Sequence, residues 1–309
     1  MDTKQEKKFF LRLILSLLPL ILLSGSSTAL SQVFCSAVFV SAFLAGRKRL
    51  VISGSITAFS VAFISLGFSF LMAAAFLATT LLLAEIFYIS FYPGGKFSRL
   101  IILGSIVCLL SNVFNTYIMA LSFGVAPVKA LFEYPMSQAV KVLDGMGGAD
   151  ADIINLLSQN IAELSAAFEK IAPAVLVLTA VLTCFAAYLF SRYMAEKDGV
   201  PISNLPKMSS LRMPRGITGI FLAIFVFSFY FGISTSVLNI ITIMMWLLAV
   251  CGISVLYYYI KKLSKATPIV SVIILGALLM VFSSFGTGVP LIGVLLGTAV
   301  IDSFIPLRK

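Results

Sequence analysis

Apolar runs of about twenty residues, set one after another with short polar breaks, constrain this chain more than anything else in it. A hydrocarbon core about 30 Å thick is crossed by roughly 17–25 helical residues. Runs of that kind lie near 9–24, 28–45, 50–67, 69–91, 100–123, 172–194, 216–233, 235–260 and 267–285, and a shorter apolar piece follows at 290–304. In lipid every backbone polar group must be satisfied within its own segment, so such runs become helices. The expectation is an all-α polytopic transmembrane helix bundle with about 8–10 membrane helices. The composition agrees: 60% of the chain is hydrophobic and 11% is charged, against about half and about a quarter in soluble domains. This excludes an ordinary cytosolic enzyme, a disordered tail and a disulfide-stapled secreted domain. Lys4, Lys7 and Lys8 give the first run the start of a signal peptide. A second apolar run follows at once, and the first is kept as a helix.

The charges fix a direction. Of the 22 basic residues, all but Lys129, Lys141 and Lys170 fall on one side of the expected helices. The opposite side carries Glu133, Asp144, Asp150, Asp152, Glu163 and Glu169. The positive-inside rule then puts both termini in the cytoplasm of a bacterial inner (cell) membrane, with residues 124–171 outside. The net charge of +10 thus has its source in topology, and nucleic acid is not an expected partner. The last apolar stretch must cross and return, with Gly286, Gly288 and Pro290 allowing the turn.

Three parts follow from this pattern: an N-terminal transmembrane block of five helices (1–123), an external insertion (124–171), and a C-terminal transmembrane block (172–309) with a cytoplasmic loop at 195–215. Within the insertion Ile154, Leu157, Ile161, Leu164, Phe168 and Ile171 recur at alternating spacings of 3 and 4. Asp150 stands at the N-cap position after Gly147 and Gly148. This predicts an amphipathic helix rather than a span, either resting on the outer ends of the bundle or closing a pocket there.

Few residues invite chemistry. There is no histidine, and Cys35, Cys108, Cys184 and Cys251 are scattered through apolar runs, so no metal and no cofactor is expected. Pro93-Gly94-Gly95-Lys96-Phe97-Ser98 lacks the spacing of a phosphate loop. No acid pair or nucleophile–base couple stands out, so the chain is not expected to be an enzyme. Glu85 is the one acid deep in an apolar run. Either it faces a ligand inside the bundle, with Asn112 and Asn115 as companions, or it snorkels toward Lys96 or Arg99. Ala37, Ser41 and Ala45 recur every four residues, and Gly293 and Gly297 form a GxxxG. Both are faces for close helix packing, internal or with a partner subunit. Arg47, Lys48, Arg49, Arg212 and Arg215 should line a basic cytoplasmic rim, anchored to membrane lipid or docking a partner. Asp302 ends the last apolar piece, where the helix dipole disfavours a negative charge, so a basic neighbour, Arg308 or a residue of loop 195–215, is expected to hold it as a structural clasp.

The C-terminal half has a distinctive order: Pro173, a basic loop with Pro206, Leu211-Arg212-Met213-Pro214, Asn239, Gly252, then Leu296-Gly297-Thr298-Ala299-Val300-Ile301-Asp302-Ser303-Phe304 and Arg308-Lys309. It resembles the YybS-like family of bacterial multi-pass membrane proteins of unknown function. Leu211 replaces an aromatic residue of the family pattern, and Ile305-Pro306-Leu307 an acidic–aromatic one. That family is similar, at superfamily level, to the substrate-binding subunits of energy-coupling-factor transporters and to the cell-shape protein MreD. The resemblance implies a six-helix substrate-binding-subunit-like core plus C-terminal helices, binding a small or lipid-like ligand and relying on partner membrane subunits for transport. The other readings are a non-transporting MreD-like envelope or sporulation scaffold, and a membrane partner of a signalling enzyme.

Overall fold

The computed structural model describes residues 3–22, 28–67, 69–91, 96–127, 140, 151–200, 210–231, 233–264, 288–305 and 307–308. Among these residues the chain is all α, in nine helices: α1 Thr3–Leu22, α2 Thr28–Leu44, α3 Lys48–Ser65, α4 Phe70–Phe91, α5 Phe97–Phe123, α6 Ala151–Lys197, α7 Arg215–Phe231, α8 Thr235–Ser264 and α9 Gly288–Phe304. Five of them, α3, α4, α5, α6 and α8, contain a stretch long and apolar enough to cross a membrane. The span expected at 267–285 lies outside the described residues, as do Pro206 and, within the expected external insertion, residues 128–139 and 141–150, which include Asp150.

The helices form two compact units, Met1–Leu205 and Pro206–Lys309. This boundary is not the three-part division read from the sequence. The helix expected to open the C-terminal block is α6, and it packs on α2 and α5 of the first unit. The physical reason is that α6 does not break where the amphipathic pattern gives way to the apolar run. It continues through Pro173 for 47 residues, about 70 Å at 1.5 Å per residue. The amphipathic segment is therefore the leading part of a spanning helix, and only its continuation is needed to cross lipid.

Unit 1 is a six-helix bundle around α2, which packs against α1, α3, α4 and α6. A helix enclosed in this way should be apolar or small on nearly every face. Accordingly Ala37, Phe39 and Val40 are fully buried, as are Leu13, Leu17 and Leu20 of α1, and Phe76, Leu83 and Phe87 of α4. At the other side of the core the ring of Tyr188, also fully buried, meets Phe91 and Phe97 edge-on. Outward positions remain apolar, for example Ile56 and Leu110, as expected of surfaces whose solvent is hydrocarbon.

Unit 2 packs α8 against α7 and α9 around Met213, Phe221, Ile241, Leu248 and Ala299. The tightest approach is at Gly252 of α8, whose missing side chain leaves room for the backbone of Leu295 in α9. Any Cβ at 252 would collide with that carbonyl, so the close crossing of these two helices depends on glycine.

Candidate functional site

In unit 1 three chain segments converge at one end: the start of α1, the turn from α2 into α3, and the end of α6. Two of them are shaped by the same helix stop. Gly46 takes a left-handed conformation (φ 67°); its N–H donates to Phe43 O at 2.9 Å and that of Arg47 to Ala42 O at 3.0 Å. Gly199 (φ 77°) repeats this after α6, its N–H donating to Glu196 O at 3.1 Å and that of Val200 to Ala195 O at 3.0 Å. These are Schellman stops, each using a glycine where other residues would be strained. They place Arg47 and Asp198 beside the first turns of α1.

Asp198 is the centre of the resulting cluster. It follows the last turn of α6, where the helix dipole opposes a negative charge, and four donors offset that. Arg12 grips it with both terminal nitrogens, Nη1 to Oδ2 at 2.8 Å and Nη2 to Oδ1 at 3.0 Å. Lys8 Nζ donates to Oδ1 at 3.1 Å, and the Ser41 hydroxyl to Oδ2 at 2.7 Å. Partial burial alone would push the carboxyl pKa up. The hydrogen bonds from Arg12, Ser41 and Lys8, with the guanidinium charge, outweigh it and hold Asp198 well below the usual carboxylate range.

A cavity of about 310 Å³ opens at this cluster. Lys8, Arg12, Arg47 and Lys197 bring four cations to its wall against the single carboxylate of Asp198, and Phe9, Val38 and Leu50 supply an apolar floor. A second cavity of about 360 Å³ lies over Gly46–Leu50 and is lined by Arg47, Lys48 and Arg49 together with Glu6. Among the described residues no three His, Cys, Asp or Glu side chains are grouped so as to hold a metal ion.

The residues singled out by sequence are distributed differently. Glu85 is on the exposed side of α4, not in the bundle with Asn112 and Asn115. The buried side of α4 includes Ala73, Phe76, Leu83 and Phe87, and its buried hydroxyls, Thr79, Thr80 and Ser90, each donate back to a carbonyl of their own helix, so none of them is directed at a carboxylate. Asn112 Nδ2 donates to Thr179 Oγ1 at 3.3 Å, joining α5 to α6. Asn115 Oδ1 is shielded with no hydrogen-bond partner among the described residues. Of the small-residue stripe, Ala37 is fully buried, Ser41 bonds Asp198, and Ala45 lines the cavity, so the stripe is spent inside unit 1. Gly293 and Gly297 are exposed, and among the described residues nothing lies within 4 Å of where their side chains would begin.

The remaining two rim residues, Arg212 and Arg215, belong to unit 2. Arg212 Nη2 and Arg215 Nε donate to Ser303 O at 3.0 and 3.2 Å, supplying a carbonyl left without a partner at the end of α9. Beside it Arg308 Nη2 meets Asp302 Oδ2 at 2.7 Å and also donates to Leu211 O, while Arg308 Nη1 donates to Ser254 Oγ at 2.7 Å. Asp302 Oδ1 accepts the N–H of Leu307 at 3.1 Å. The sequence reading named this pair. It missed the larger cluster at Asp198, whose signal was an acid and a helix-stopping glycine inside an otherwise basic stretch.

The chain belongs to the family described as "Predicted membrane protein (DUF2232)", which residues 11–295 match. No curated protein and no solved structure matches it.

Proposed function

We propose, with membership of that family of membrane proteins as the premise, that the chain is a binding subunit of the bacterial inner membrane. In this reading it takes up a small or lipid-like ligand in unit 1, has both termini in the cytoplasm, performs no catalysis, and depends on partner membrane subunits for any transport. The observation that carries the proposal is the cavity at Asp198, a recess with a charged wall and an apolar floor, built by three separate segments of the bundle. Its volume of about 310 Å³ is at the small end of the roughly 300–1,000 Å³ typical of ligand sites. The six-helix arrangement of unit 1 and the likeness to YybS-like proteins support the same reading. The ligand position is not the one expected from Glu85, and the basic end replaces it.

Native mass spectrometry of the chain purified in mild detergent tests this. A retained small molecule, lost when Arg12 is replaced by alanine in a protein that still folds, is the expected result. A bare chain under every purification condition would overturn it. Orientation is tested separately in a cysteine-free variant. A cysteine introduced at position 150 should react with an impermeant reagent from outside, and one at 206 should not; the reverse pattern would invert the topology. A scaffold without a ligand is the second reading. The open small-residue face of Gly293 and Gly297 on α9 favours it, because such a face allows a second helix to approach closely.

A further inference from the structure

We propose that the Asp198 cavity is a site for a phosphate-bearing anion, carried either on a lipid headgroup or on a small soluble molecule. The inference rests on the binding-subunit reading and names its ligand class. Asp198 is already saturated: its two oxygens accept four hydrogen bonds, from Lys8, Ser41 and twice from Arg12. It cannot also neutralise Arg47 and Lys197, which line the same cavity. Among the described residues the Arg47 side chain makes no hydrogen bond or ion pair. Lys197 lies over the Tyr193 ring, 5.9 Å from its centroid, a contact that leaves its charge uncompensated. Four cations around one recess repel one another unless an anion joins them. After Asp198 the excess is more than one positive charge, which a phosphomonoester dianion answers better than a carboxylate. Arginine forks and lysine ammonium groups are the usual partners of phosphate oxygens.

Two further features point the same way. Arg12 is a recessed group, its side chain 18% exposed, so it is not placed merely to reach the headgroup plane as a snorkelling anchor would be. The apolar floor formed by Phe9, Val38 and Leu50 suits the glycerol or other small carbon skeleton next to a phosphate. The N-terminus of α3, with Arg49 and Lys48 against the single carboxylate of Glu6 at the adjoining cavity, adds a positive dipole end to the same region.

The test is equilibrium binding to the purified full chain in a neutral detergent. Inorganic phosphate, short-chain phosphatidic acid and short-chain phosphatidylcholine are titrated in parallel. Saturable binding of phosphatidic acid, weakened at least about tenfold by R47A/K197A and left intact by the surface control K7A/R99A, is expected, a difference of about 1.4 kcal/mol. R47Q alone serves if the double variant fails to fold. Inorganic phosphate binding as steeply as phosphatidic acid assigns the site to a soluble phosphate compound; phosphatidic acid binding alone assigns it to a lipid. Equal weakening by K7A/R99A would mean diffuse attraction to positive charge and would overturn the proposal. If a neutral or cationic molecule co-purifies through this cavity and no phosphate probe competes with it, the anion inference fails while the binding-subunit reading stands.

Discussion

Asp302 in unit 2 and Asp198 in unit 1 both stand at the C-terminal end of a helix, and the two are treated in opposite ways; Glu196, in the last turn of α6, is paired with Arg192 one turn back. Asp302, in the last turn of α9, is 2% exposed and its partner Arg308 only 10% exposed. Every donor around it is used: Arg308 serves the carboxylate, Ser254 and Leu211, and Arg212 stands 3.8 Å off with its own bond to Ser303 O. Asp198, after α6, is 20% exposed and opens on a cavity with more cations than it can satisfy. The same electrostatic problem, a negative charge at the negative end of a helix dipole, is thus solved once with a closed set of partners and once with a surplus. A closed set fixes a fold. A surplus leaves capacity for something the chain does not itself provide.

The largest expected effect tests the closed set. Arg308→Ala would leave the buried Asp302 with only the Leu307 N–H and a guanidinium 3.8 Å away, while Leu211 O would keep the Ser254 hydroxyl as its donor. Breaking a buried ion pair on one side costs about 3–5 kcal/mol, and Arg212 recovers part of that, so a loss of about 3 kcal/mol is expected in denaturant unfolding of the detergent-solubilised protein. Removing both charges, as Asp302→Ala with Arg308→Ala, should be milder than removing Arg308 alone, because no unpaired charge is left buried. A single variant that unfolds within about 0.5 kcal/mol of the parent would show that this set is not closed at all.

The difference between the two acids also decides what could be read in the sequence. Asp302 and Arg308 are six residues apart, so a local argument from a helix end found them. Asp198 is 186 residues from Arg12 and 157 from Ser41, and no local spacing brings them together. The helices themselves were legible because hydrocarbon makes composition and run length decisive. Their grouping was implied by the family resemblance, as a six-helix core with C-terminal helices, and not by the run pattern, which gave a three-part division. The change from amphipathic to apolar at Pro173 looked like a boundary, yet a proline inside a packed helix can be accommodated by its neighbours, and α6 joined the first unit. For Glu85 the sequence left two readings open, an interior ligand partner or a snorkelling acid, because an acid in an apolar run must face either the protein interior or water. The apolar packing of Phe76, Leu83 and Phe87 inside the bundle left it only the outward side.

A smaller effect is expected at the open cluster. Asp198→Asn removes the charge from a partly exposed, salt-screened group, so a loss of about 1 kcal/mol is expected near neutral pH. The pH dependence gives the sign. The folded-state pKa of Asp198 is lowered, so its contribution is complete above the ordinary carboxylate value of about 4 and fades as the pH falls below it. The gap between parent and Asp198→Asn in thermal unfolding should therefore be constant from about pH 7 to about pH 5 and shrink below about pH 4. A gap that widens on acidification would mean that the carboxylate is not held in its charged form.

The smallest effect on stability, and the one that separates the two regions most sharply, belongs to Arg47. Its side chain makes no cap hydrogen bond, and it faces Lys8, Arg12 and Lys197 across the cavity. Arg47→Ala removes repulsion and orphans no buried group, so stability should change by less than about 0.5 kcal/mol in the absence of added anion. Any change should be a gain, larger at low ionic strength, where like charges are screened least. Adding phosphate or phosphatidic acid should then stabilise the parent more than the variant, because a ligand that binds only the folded chain raises its stability in proportion to occupancy. Arg308→Ala should show neither behaviour: its loss should be large in every buffer and indifferent to anions. If Arg47→Ala instead destabilises the chain as Arg308→Ala does, with no dependence on salt or phosphate, then Arg47 is a structural partner of Asp198 and the two clusters are one device used twice.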